Sequence, residues 1–211
     1  MIAPVNRLSS AKEKLSGLFL TLLTKAATDL DLDGLAEEVA AFAAKHPDLS
    51  TKDKARRMVK ATAKKAAALG AVASLPPGWA AVASVAPELT TLLYLQSRMI
   101  LGLHLLYGGS PDPEERAMEV LAGLASGAGI NVTRRLSSRA AEAIAERLVV
   151  RFIGREATHL VPVLGAAAAA ALNYAAVHAV GEAALHRVQK LYGPPEVPGK
   201  GPVVDTSGTV T

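Results

Sequence analysis

A chain of 211 residues with a formal charge of +4 and no cysteine has room for one domain with a tail. It excludes disulfides, thiolate metal sites and cysteine nucleophiles. Half of its residues are hydrophobic and only 4% are aromatic, so burial has to come from close helix contact through Ala rather than from large side chains. Met1 to Ser10 has no apolar run ending in a small-residue cleavage site, so no secretory signal is expected and a reducing cytoplasm is the expected compartment.

Ser10 to Glu13 reads as a capping box that opens a first helix, with Leu15, Leu18, Phe19, Leu22, Ala26 and Leu30 on one face. A second helix is expected from Asp33 to His46, using Leu35, Val39 and Phe42 and ended by Pro47. Between them, Asp29, Asp31, Asp33 and Gly34 imitate the start of a calcium loop. The position that should supply the bidentate Glu is Ala40, so an acidic turn is the better reading.

Ser50 and Asp53 signal the start of a third helix, Thr51 to Leu69, the most charged in the protein. Lys52, Arg56, Lys60 and Lys64 recur every four residues and form one stripe, flanked by Arg57 and Lys65. This helix runs into an uncharged stretch from Ala66 to Pro87, interrupted by Pro76, Pro77 and Gly78. A long apolar helix from Glu88 to Tyr107 follows, closed by Gly108 and Gly109. Asp112-Pro113-Glu114-Glu115 combines an N-cap, a proline at the first helical position and acids in the first turn. That helix fades near Gly123, Gly127 and Gly129. Another spans Ser138 to Phe152. A second uncharged stretch, Ala157 to Gly181, is broken by Pro162 and Gly165 and continues as a helix to Tyr192; Gly193-Pro194-Pro195 stops it. The Pro/Gly/Thr-rich remainder is expected to be disordered.

No segment alternates with period two, so the expected fold is all-α: a helical bundle containing two Pro/Gly-interrupted apolar helical hairpins. The expected division is 1–50 as N-terminal amphipathic helices, 51–192 as the helical domain and 193–211 as a tail.

Both uncharged stretches exceed the ~20 residues that cross a bilayer. Their prolines cut them into pieces too short to span, and Glu88, Gln96 and Arg98 burden the longest helix. Buried core helices, a peripheral or partly inserted protein and a truly spanning one all remain open. The stripe is equally compatible with a solvated face and with anionic headgroups, which clusters of four to eight cations beside an apolar segment suit. Nucleic acid is disfavoured, because the stripe lacks interleaved aromatics and no binding motif accompanies it.

Catalytic signatures are missing. The phosphate loop, the dinucleotide fingerprint, GxSxG and HExxH do not occur. His178, Glu182 and His186 share one helix face, but a metal site would need ligands from facing helices. A structural stripe, with Glu182 pairing to His186, is the better reading, so no metal, no cofactor and no enzyme activity are expected. Glu88, Gln96, Arg98, Asn173 and Glu182 are polar residues inside apolar helices. They are expected to meet as a buried network, because unsatisfied groups there cost ~1–3 kcal/mol.

Pro77-Gly78, then Glu88, Gln96 and Arg98, then Leu106-Tyr107-Gly108 resemble the first signature of the EcsC family. Val161-Pro162-Val163-Leu164-Gly165 followed by Asn173 is similar to its second, with Ala-rich sequence in place of the usual second Gly. The resemblance covers Ala66 to Leu191 and extends to the helical C-terminal region of YcjF-type membrane proteins. It implies a bacterial, membrane-associated protein with no established reaction and no catalytic residues.

Taken together, the expected function is non-enzymatic. The protein would lie peripheral to the inner face of the cytoplasmic membrane, with Lys52, Arg56, Arg57, Lys60, Lys64 and Lys65 contacting anionic lipids. A membrane protein or a second copy is a further expected partner. The alternative is a soluble helical carrier with an apolar pocket for a lipid or other hydrophobic ligand.

Overall fold

The computed structural model describes the backbone at residues 3–73, 79–130, 132, 137–159 and 166–193, and the side chains at 13–71, 89–130, 132, 137, 139–150 and 166–193. The described residues form seven α-helices and no strand, so the fold is all-α. They are α1 (Ala3–Thr28), α2 (Leu32–Ala44), α3 (Thr51–Ala73), α4 (Trp79–Leu106), α5 (Pro113–Gly127), α6 (Ser138–His159) and α7 (Ala166–Tyr192).

Several boundaries follow from local chemistry. Asp31 caps α2, its carboxylate accepting from the Gly34 N–H at 3.0 Å, so one of the calcium-like acids does a capping job. Ser50 caps α3: its hydroxyl accepts from the Asp53 N–H at 3.1 Å. Two helices end in the same left-handed device. Gly108 has φ +78°, its N–H donating to the Leu105 carbonyl while Gly109 donates to His104. Gly129 (φ +72°) donates to Ser126, and Ile130 to Ala125. This double bond pattern satisfies orphan carbonyls and needs a residue tolerant of positive φ.

Other boundaries differ from expectation. α1 begins at Ala3, so Ser10 lies inside the helix and cannot cap it; Pro4 is tolerated because it falls in the first turn. α4 starts at Trp79 and runs through Pro87, so that proline removes one backbone donor without ending the helix. α6 continues past Gly154 to His159. Asp112 is the N-cap of α5 by position, yet its side chain makes no cap hydrogen bond. The expected breaks at Pro76–Gly78 and at 160–165, and the tail beyond Gly193, lie outside the described residues.

The core is continuous and draws on every helix, including Phe19, Leu23 and Leu30 near the N-terminus, Leu35 and Val39 of α2, Leu93 and Ile100 of α4, and Leu148 of α6. Leu15 and Leu18, expected on the buried face of α1, are exposed. The face that packs is Phe19, Leu23, Ala26, Ala27 and Leu30, and Leu18 stands roughly 100° away from Phe19 around the axis.

The most extensive helix contact joins α3 to α7. Small residues make it possible: Ala55, Val59, Ala63, Ala66 and Gly70 on α3 meet Ala169, Val177, Gly181 and Ala184 on α7, all buried. A Cβ added at Gly70 would fall 2.5 Å from Asn173 Nδ2, and one at Gly181 would run into the Val59 side chain. As α3 advances from Val59 to Gly70, its partners retreat from Gly181 to Asn173 and Ala169, so the helices are antiparallel. Among the described residues α6 packs on α1 and α5, and α7 on α3, α5 and α4.

Candidate functional site

The α3–α7 seam fixes the orientation of the most basic helix. With Ala55, Val59, Ala63 and Ala66 turned inward, Lys52, Arg56, Arg57, Lys60, Lys64 and Lys65 are all exposed. Asp53 is the one acid on this helix of 23 residues, which is about 34 Å long. Arg56 sits at the edge of the seam, with Nε 3.8 Å from Glu182 Oε2 and both side chains well exposed. Such a pair contributes little in water. The other five cations make no ion pair among the described residues.

Of the expected buried network, the four members with described side chains, Gln96, Arg98, Asn173 and Glu182, do not meet one another. Arg98 reaches Glu38 on α2, and that hydrogen-bonded carboxylate, more than any other group, holds the guanidinium pKa above its ordinary value. Glu182 turns to Arg56, not to His186. Asn173 packs on Gly70. The side chain of Glu88 lies outside the described residues. Gln96 alone stays inside, 2% exposed. The geometric reason is simple: residues two apart on a helix point roughly 200° from each other, so Gln96 and Arg98 cannot serve one neighbour.

A different polar cluster occupies the end of the bundle. His104 on α4 is buried, with its Nδ1 3.0 Å from the Tyr192 hydroxyl and its Nε2 3.7 Å from Glu119 Oε2. Arg187 clamps the same carboxylate from α7, its Nε donating at 3.0 Å and its second terminal nitrogen at 3.2 Å. Burial pushes the His104 pKa below its ordinary value, Glu119 opposing this and Arg187 adding to it. Burial likewise raises the Tyr192 phenol, whose tip lies against Gly109. Gln189 donates to the Tyr107 hydroxyl at 3.1 Å nearby. Sequence reasoning missed this cluster because its interacting pairs lie 15 to 88 positions apart; the one available signal was a histidine in an apolar helix. Among the described residues no three His, Asp or Glu side chains come together to hold a metal. His178 stacks on Tyr174, with ring centroids 5.7 Å apart, and His186 lines a separate cleft of mixed polarity with Ser126, Ile130 and Lys190.

An apolar cavity of about 570 Å³ opens where α4, α5, α6 and α7 converge. Leu92 and Gln96 come from α4, Leu124 and Gly127 from α5, Leu148 from α6, and Leu172, Ala175, Ala176, Ala179 and Val180 from α7. At one wall α5 and α7 touch almost backbone to backbone: a Cβ on Gly127 would fall 2.5 Å from Val180 Cα. Small residues along α7 leave the space that larger ones would fill. Every described residue lining the cavity is uncharged.

No family model, curated protein or solved structure matches this chain. Among the described residues one helical window, Leu89–Leu106, is long and apolar enough to cross a membrane, and 56% of it is buried within the protein.

Proposed function

We propose that this chain is a non-enzymatic helical protein that works at the inner face of the cytoplasmic membrane, holding anionic lipid headgroups on the outer face of α3. The observation that carries the reading is the set of five exposed cations, Lys52, Arg57, Lys60, Lys64 and Lys65, without ion pairs among the described residues. Acids elsewhere in the chain are plentiful, so a merely solvated basic helix had neutralising partners to use. The seam with α7 holds the array on a rigid element, which lowers the entropy lost on binding a surface. Kinship with the EcsC family, drawn from Gln96, Arg98, Tyr107-Gly108 and Asn173, belongs to the same proposal.

Flotation with vesicles tests it. Binding to vesicles containing phosphatidylglycerol, absent on phosphatidylcholine alone and weakened by salt, is the expected result, since exposed charges are screened within ~10 Å at 0.1 M salt. Binding indifferent to lipid charge would refute it.

The cavity of about 570 Å³ favours a second reading, a carrier for a hydrophobic ligand. Its size falls within the range of about 300–1,000 Å³ usual for small-molecule sites. Saturable binding of a neutral apolar dye such as Nile red, lost when the exposed Ala179 at the cavity is replaced by Phe, is the expected result. Dye binding that ignores Ala179→Phe would refute this reading.

A further inference from the structure

We infer that the cavity takes a neutral, largely aliphatic molecule with a single hydrogen-bonding head, such as a hydroxyl or primary amide, and that the carboxamide of Gln96 receives that head. This rests on the carrier reading of the cavity and names the chemistry of its occupant.

Gln96 is the starting point. It is 2% exposed, lines the cavity, and has no hydrogen-bond partner among the described residues. Ser97 Oγ is the one sealed side-chain atom without a partner among the described residues, so the Gln96 carboxamide is within reach of whatever fills the cavity it lines. The contrast within α4 is informative. His104, two turns further along and equally buried, is matched by Tyr192 and Glu119. Arg98 has Glu38. Leu would fill position 96 at less cost if packing were its only task. Ser97 has a buried hydroxyl without a partner, but it does not line the cavity and is not part of the inference.

The lining then selects the ligand. Apart from Gln96 the described lining consists of Leu, Val, Ala and Gly residues, which reward aliphatic surface at about 25 cal/mol per Å² buried. A carboxamide both donates and accepts, so it can satisfy a hydroxyl or an amide completely. A carboxylate or phosphate head would lose its hydration with no cation among the described lining residues to replace it, a penalty of several kcal/mol. The cavity should therefore reject the anionic headgroups proposed for α3. The exposed residues Leu172, Ala175 and Ala179 also line it, which places its mouth along α7.

The test uses the intact protein loaded with Nile red and displaced by 1-decanol or by decanoate. Decanol is expected to displace the dye at a concentration at least about tenfold lower than decanoate. Gln96→Leu is expected to keep dye binding while weakening decanol by about fivefold or more. The decanol and decanoate comparison on the unaltered protein needs no variant and stands even if Gln96→Leu fails to fold. Equal displacement by decanol and decanoate, or an undiminished decanol affinity in a folded Gln96→Leu, would overturn the inference while leaving the carrier reading intact. Absence of saturable dye binding would remove the carrier reading and the inference with it.

Discussion

Replacing Gly181 by Ala should destabilise the protein, although Ala is the better helix former by about 0.8–1.0 kcal/mol. The new Cβ would lie 3.0 Å from Val59 Cβ and closer still to both Val59 methyl groups. Val59 is fully buried and its branched side chain has one strongly preferred rotamer in a helix, so it cannot swing aside. The α3–α7 seam has to open instead. Overpacking of this kind costs about 1–3 kcal/mol, which offsets the propensity gain and leaves a net loss of up to about 2 kcal/mol. Gly17 provides the opposite case. Nothing lies within 4 Å of the place its Cβ would occupy, so Gly17→Ala should stabilise by up to about 1 kcal/mol. Adding Val59→Ala to Gly181→Ala should relieve the clash, giving a favourable coupling of about 1 kcal/mol or more. Urea unfolding followed by circular dichroism reads the native protein, the single variants Gly17→Ala, Gly181→Ala and Val59→Ala, and the double variant. If Gly181→Ala raised the midpoint as Gly17→Ala does, the close approach of α3 and α7 would be wrong.

The remaining expectations concern the polar pairs. Glu119→Gln leaves the Arg187 guanidinium, whose side chain is 14% exposed, without its counter-charge, so a loss of about 3 kcal/mol in urea unfolding is expected. Glu38→Gln should cost less than about 1 kcal/mol, because Glu38 is 64% exposed and water replaces its contact with Arg98. Because burial holds the His104 pKa below 6.5 in the folded protein, the unfolded chain takes up the proton first. Its contribution is intact above about pH 6.5 and is lost as pH falls from there toward the folded value, at no more than about 1.4 kcal/mol per pH unit. Urea midpoints measured across this window should fall with acidification in the native protein and less so in His104→Gln.

Much of the architecture could be read from local signals. Ser50 and Asp53, Asp31, Gly108 and Pro113 mark helix ends by chemistry that acts within a few residues, and the alternation of small residues and cations along α3 announces which face packs. What could not be read depends on partners far along the chain. Nothing in the sequence says that Arg98 belongs to Glu38, or that Arg187 grips Glu119 beside His104, because spacing arguments reach only one turn away. Pro87 and Gly154 misled for a different reason: both helices continue through residues whose intrinsic preference is to break them. Gln96 was legible as a polar residue in an apolar helix, but its place in a cavity wall depends on α5, α6 and α7 together. The exposed cations were legible as a stripe; that five of the six have no ion pair among the described residues was not.

The most direct measurement is vesicle flotation of the native protein beside a variant with Lys52, Lys60, Lys64 and Lys65 all replaced by Gln. Each cation near an anionic surface contributes ~1 kcal/mol, so partitioning onto phosphatidylglycerol vesicles should fall by about 100- to 1,000-fold. Urea stability should stay unchanged, since none of the four has an ion pair among the described residues. Equal flotation of the two proteins would contradict a membrane-binding role for α3.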